Sequence, residues 1–273
     1  MTELIIAAVA IVVATIVVRS MKSKDSPDCI ELSDKPFPEE WRKILQSGWP
    51  LYNKLPDDLR HQLEQLTLVF LDRIDFRGVD GLTITDEIRV MTSAQACILL
   101  LNQGTFFTNK LRSAVIHPKA YSATSHDTIA GETTEKKIAV QGQSWENGLV
   151  VLSWDNTRTG AANAKDGRNL VIHEFAHQLD QSDGLTDGAP ALGSREQYKR
   201  WQKVCSRVFS DLQDKVDRGQ KTVIDDYGAT NPAEFFSVAT ETFFEKPYQL
   251  NKKRPELYDL LREYYRVDPL TWR

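Results

Sequence analysis

Two histidines four residues apart, His173 and His177, with a glutamate directly after the first, make up the segment HEFAH. On an α-helix such residues project from one face about one turn apart. That spacing suits two imidazoles converging on one metal ion. Glu174 then lies to the side of the ion, placed to take a proton from an activated water rather than to ligate. The flanking residues Leu170, Val171, Ile172, Phe175, Ala176 and Leu179 are apolar, so the helix is expected to be buried. Polar groups on a buried helix need partners. The chemistry implied is zinc-dependent hydrolysis with one zinc per chain, because three protein ligands leave a fourth position for water.

Two regions compete for the third ligand. Asp183 stands six residues after His177, but a site of that kind needs a glycine three residues after the second histidine, where this chain has Asp180. It also needs a methionine turn downstream, and Met1, Met21 and Met91 all precede the motif. The alternative lies in Asn231-Pro232-Ala233-Glu234, which opens a helix with Asn as N-cap and Pro in the first turn. Glu234 and Glu241 are seven residues apart and share one face among Phe235, Phe236, Val238, Phe243 and Phe244. Glu234 also fits a capping-box carboxylate, so spacing leaves the choice between these acids open. His61, His117 and His126 stand outside any motif and read as surface or satisfied core histidines. Tyr227, beside Gly228, reads from its neighbours alone as a buried aromatic near a turn.

The elements that position these residues are legible in outline. Pro56-Asp57-Asp58 starts a helix running through LRHQLEQLTLVFLDRI, and Thr85-Asp86-Glu87 caps another that continues to Gly104. Short β-like runs follow, SAVIHP, KKIAV and GLVVLSW. Residues 155–168 read as an exposed loop and potential lid, and strand 149–154 as a cleft edge able to pair with an extended peptide. Four helices are then expected, over 169–181, 195–217, 231–245 and 254–266. The class is α+β, a helix-dominated domain with a small sheet, spanning 39–273.

Ahead of it, every residue from Leu4 to Val18 except Thr15 is apolar. With its flanks this approaches the lower limit of about 17 residues for a tilted span. The first residues carry Glu3 and no Lys or Arg, and no small-residue cleavage site follows, unlike a secretory leader. Residues 1–20 are therefore expected to be a single-pass anchor and 21–38 a linker. Arg19, Lys22 and Lys24 follow the stretch, which places the domain on the cytoplasmic side of the inner membrane; a wholly cytoplasmic protein is the alternative. Cys29, Cys97 and Cys205 have no disulfide-framework or zinc-ligand spacing. A formal net charge of −4 argues against direct nucleic-acid binding.

VIHEFAHQLDQSDG, followed by DDYGATNPAEFFSVATETFF, resembles the Mlc titration factor A family of bacterial zinc peptidases, within the zincin superfamily. The second segment also resembles the peptidase domain of anthrax lethal factor, where a YG-x-TN-x-AEFF string carries the third zinc ligand. GLVVLSWD and the Trp41–Trp49 region extend the likeness over roughly residues 39–270. The resemblance implies a zincin-like fold, Glu234 as third ligand and Glu174 as general base. It also implies that Tyr227 donates a hydrogen bond to the oxyanion formed on a scissile carbonyl. Glu241 becomes a candidate partner for a ligating histidine, and Asp180 either shares that role or caps the helix end. The implied partners are a peptide or protein substrate and an Mlc-type transcriptional repressor. Familiar members are soluble and cytosolic, so the apolar N-terminus departs from the pattern.

Overall fold

The computed structural model describes residues 30–107, 110–129, 132–140, 142–145 and 148–272, with the backbone alone for 121–129, 132–140 and 143–145. The apolar stretch 1–20 expected to be an anchor lies outside these residues, as does the expected linker up to 29. Among the described residues no helix is long and apolar enough to cross a membrane. The rest of the expected linker lies against the domain: the Ile30 amide donates to the Gly104 carbonyl, and Phe37 is buried.

Helices α1 (Glu39–Gly48), α2 (Pro50–Lys54), α3 (Asp57–Arg73) and α4 (Asp86–Cys97) open the chain, with β1 (Asp75–Gly78) between the last two. The first turn of α3 carries Asp57 and Asp58, which complement the helix dipole. Thr85 caps α4 by accepting the Ile88 amide. That helix ends at Cys97 in a 3-10 turn over Ile98–Leu100, shorter than the run to Gly104 that its apolar pattern suggested.

Strands β2 (Ser113–His117), β5 (Gly142–Trp145) and β6 (Leu149–Ser153) join β1 in a four-stranded sheet of order β1-β2-β6-β5. The first three strands run parallel and β5 is antiparallel to β6. Strands β3 (Tyr121–Ile129) and β4 (Glu132–Val140) form a separate antiparallel pair. Strand β6 is thus interior, paired on both sides, and the expectation that 149–154 edges a cleft is overturned. Its continuous apolar run LVVLS is the pattern of a strand covered on both faces and flanked by neighbours. Among the described residues the edge strands are β1 and β5, and β5 is the one that lies against α6.

Residues 155–168 are not an open loop either. Helix α5 (Trp154–Ala162) occupies most of them and buries Thr157, Gly160 and Ala161. Asn, Thr and Gly lower helix propensity and suggest a loop, but packing overrides that preference. A Cβ on Gly160 would lie 3.2 Å from both the Arg168 carbonyl oxygen and the Asn169 Cα, so the missing side chain lets α5 press against the following segment.

The second half is helical: α6 (Leu170–Asp180), α7 (Arg195–Asp217), α8 (Pro232–Glu245), α9 (Pro247–Lys253) and α10 (Pro255–Tyr265). In α7 the buried residues Trp201, Val204, Val208 and Leu212 recur every three or four positions, the stripe of an amphipathic surface helix. One continuous core runs from Phe37 to Trp272. Phe175, on the inner face of α6, packs 5.5 Å from Phe70 and 5.0 Å from Phe107 between ring centres. Those rings fix the rotation of α6 about its axis, and so the direction of its histidines.

Candidate metal centre

Helices α6 and α8 lie against each other, and each starts on an asparagine cap. The Asn169 side chain accepts the Ile172 amide at 3.0 Å, and that of Asn231 accepts the Glu234 amide at 2.9 Å. His173 and His177 face Glu234 across the helix pair. Their rings stand 5.0 Å apart, with His173 Nε2 2.9 Å and His177 Nε2 3.4 Å from Glu234 Oε2. One donor atom from each of the three residues lies within 4.8 Å of the others, and no other cluster among the described residues meets that test. Two ligands of a tetrahedral zinc stand about 3.4 Å apart, given bonds of about 2.1 Å. The donor set, two imidazoles and one carboxylate, therefore fits a divalent metal in both chemistry and spacing.

The remaining atoms of His173 are also engaged. Its Nδ1 lies 2.8 Å from Glu241 Oε1, about two helical turns along the same face from Glu234. A carboxylate there fixes a proton on Nδ1 and leaves Nε2 as the nitrogen turned toward Glu234 and His177. Burial opposes a charged His173, but Glu241 and Glu234 outweigh it and hold the imidazole well above its ordinary range. For Glu234 burial again opposes ionisation, and the hydrogen bonds to His173 and His177 carry its carboxyl well below the usual range. The pocket therefore keeps this carboxylate ionised.

Glu174 is buried beside the pair, and burial, reinforced by Glu234 and Glu241 against the opposing pull of His173, pushes it up to about 7. A carboxyl poised there exchanges protons readily at neutral pH. Its position depends on β5. A Cβ on Gly142 would fall 2.5 Å from Glu174 Oε1 and 2.8 Å from its Cγ, so only glycine lets the strand pass this close.

Tyr227 is 54% exposed rather than buried as its local sequence suggested, and its ring centre is 5.9 Å from that of His173. It sits on a 3-10 turn, Asp226–Ala229, capped by Asp225. Burial of the phenol end, with Glu234 and Glu174 nearby, pushes its hydroxyl up to about 12, so it remains a donor at neutral pH.

Asp180 is fully buried with the Gly188 and Ala189 amides against its carboxyl; among the described residues it bonds no histidine, and the C-cap of α6 is Gln181. Burial raises it to about 6. Asp183 stands apart from the triad, accepting from the Leu185 amide and Tyr198 hydroxyl on the surface. His117 pairs with Asp80 at 2.8 Å, His61 lies exposed on α3, and the His126 side chain lies outside the described residues.

Beneath the triad is a layer that the motifs did not announce. Asn169 donates through its side chain to Gln95 at 3.0 Å and Glu245 at 3.2 Å, and its amide donates to Glu241. The one signal for this layer was the helix start expected at 169. Gln95 and Glu245 stand 74 and 76 residues from Asn169 and carried none.

A helix pair presenting two imidazoles and a carboxylate to one point, with a buried glutamate alongside, is a metallopeptidase-type centre. The chain belongs to the glucose-regulated metallo-peptidase M90 family, whose model matches residues 19–266. It is 38% identical over 242 residues to an uncharacterized protein of Synechocystis sp., covering 88% of each chain. It is 29% identical over 237 residues to Mlc titration factor A of Klebsiella pneumoniae, covering 85% of this chain and 88% of the relative. The Mlc titration factor A of Yersinia pestis is 28% identical over 236 residues, with 85% and 86% covered.

Proposed function

We propose that this protein is a zinc-dependent peptidase in which His173, His177 and Glu234 hold the ion. The observation that carries this reading is the convergence of those three donors beside a buried Glu174 whose carboxyl is poised near neutrality. The chemistry such an ion supplies is Lewis-acid activation of a water and of a substrate carbonyl. Glu174 takes a proton from the attacking water and passes it to the leaving amine. The Tyr227 phenol donates a hydrogen bond to the oxygen of the attacked carbonyl, where negative charge develops. Glu241 holds His173 in the tautomer and orientation that ligation needs. The free edge of β5, next to Glu174, offers backbone groups to an extended peptide.

The test measures zinc content and cleavage of a quenched peptide library together. Glu174→Gln should keep its zinc and lose hydrolysis by at least about a hundredfold. Glu234→Ala should lose the zinc as well. Wild type that binds no zinc would refute the reading.

The name shared by two of the relatives supports a second role, capture of an Mlc-type repressor. Comparing wild type with Glu174→Gln separates the two roles: a captured repressor stays bound and intact with both proteins, whereas a repressor that is a substrate is cut by wild type and only held by Glu174→Gln. The family match begins at residue 19, directly after the apolar stretch, so we further propose that residues 1–20 anchor this member to the inner membrane with the domain facing the cytoplasm. Membrane fractionation of the full chain should then find it in the pellet, released by detergent and not by salt.

A further inference from the structure

We propose that Arg168 is a positioning residue: through Asp225 its guanidinium holds the turn that presents Tyr227 to the metal centre. Arg168 directly precedes the cap of α6, and its Nε and Nη2 both donate to Asp225 Oδ2, at 2.8 and 2.5 Å. The other oxygen of that carboxylate, Oδ1, accepts the Tyr227 amide at 3.1 Å. The opposite end of the turn is held by Thr230, whose hydroxyl donates to the Tyr227 carbonyl at 2.7 Å. Tyr227 is more than half exposed; its hydroxyl meets Glu234 and its ring lies 5.9 Å from that of His173, and the backbone of a four-residue 3-10 turn sets the point from which that ring projects. Arg168 thus restrains the same carboxylate that holds the Tyr227 amide.

The same arginine reaches the layer under the ligands. Its amide donates to Asp166 Oδ1 at 3.0 Å and Glu245 Oε2 at 3.2 Å, and Glu245 meets Asn169, whose amide contacts Glu241, the partner of His173. A single residue thus spans the support of a ligand and the support of Tyr227. The Arg168 side chain is 72% exposed, and an ion pair so open to water adds little to global stability. Its consequence is geometric: two donors on one oxygen fix the carboxylate, and the carboxylate fixes the turn.

The inference rests on Tyr227 acting as the oxyanion donor. It also predicts a change in the ring's surroundings that needs no turnover. In the zinc-loaded full chain carrying ¹³C-labelled tyrosine rings, the Tyr227 signal is identified by its loss in Tyr227→Phe. In Arg168→Ala that signal should move toward the position of a freely solvated tyrosine, with zinc content unchanged, since the backbone contacts of residue 168 survive the truncation. The rate constant kcat should fall about tenfold, a misplacement effect, while KM changes by less than about twofold. In a Tyr227→Phe background Arg168→Ala should cost less than about twofold. Arg168→Lys, which keeps the charge without the two-nitrogen grip, should recover part of the loss. An unmoved ring signal, or an equal fall in both backgrounds, overturns the proposal. Wild type that cleaves no peptide would remove the peptidase reading, and the ring signal would still decide for or against the strap.

Discussion

At the scale of single residues, His173 is the most heavily partnered member of the candidate metal centre. Its two nitrogens are taken by two carboxylates of the same helix, Glu241 on one side and Glu234 on the other. Only the second of these shares a cluster with His177. The surroundings therefore differ although both acids lie on one face: in the proposed centre Glu234 would ligate the ion and Glu241 would orient His173. Replacing Glu241 by Ala should leave the fold intact and weaken zinc binding by about 10- to 100-fold, measured by competition with a chelating dye. An unchanged affinity would show that helix packing alone orients the ring. Asp183, already lacking the glycine and methionine turn its kind of site needs, stands outside the cluster, its carboxylate accepting from the Leu185 amide and the Tyr198 hydroxyl.

At the scale of elements, the approach of β5 to α6 constrains the base. The backbone of Gly142 needs no unusual conformation, so alanine there meets only a steric obstacle, the Glu174 carboxylate and Leu170. Gly142→Ala should lower kcat by about tenfold or more with little change in thermal stability. In a Glu174→Gln background it should cost nothing further. Where α8 ends, Glu245 is buried against Asn169 and Arg168, and burial raises its carboxyl from 4.5 to about 8. A folded-state value above the unfolded one means that the folded state keeps a proton that the unfolded chain has released. Stability should accordingly fall as pH rises from about 4.5 toward about 8, and Glu245→Gln should flatten that decline. Melting temperatures across this range for both proteins would check it.

The whole molecule is held by contacts far from the centre, and the clearest is polar. Glu64 is buried on α3, gripped by Arg42 of α1 at 2.9 and 3.0 Å and by the Tyr52 hydroxyl of α2 at 2.6 Å. Removing the cation would strand a buried carboxylate, so Arg42→Met should destabilise the fold by about 2–3 kcal/mol in chemical denaturation, with zinc affinity unchanged. What was readable without the fold was whatever depends on neighbours a turn away. The HEFAH spacing, the Asn-Pro start of α8 and the stripe along α7 are of this kind, because helix geometry alone places i and i+4 together. Helix α5 was misread as a loop, since its Thr, Asn and Gly residues are helical only when packed against α6. The edge of the sheet was assigned to β6 because strand order depends on pairing partners, which local sequence does not name. Between Glu234 and Glu241, which spacing left open, tertiary structure put Glu234 in the cluster and joined it to a histidine 61 residues away. The sequence by itself determined that a helix would carry two imidazoles and a base on adjoining faces. Only the fold decided which carboxylate meets them, because that contact is made by the packing of two helices and by nothing along either one.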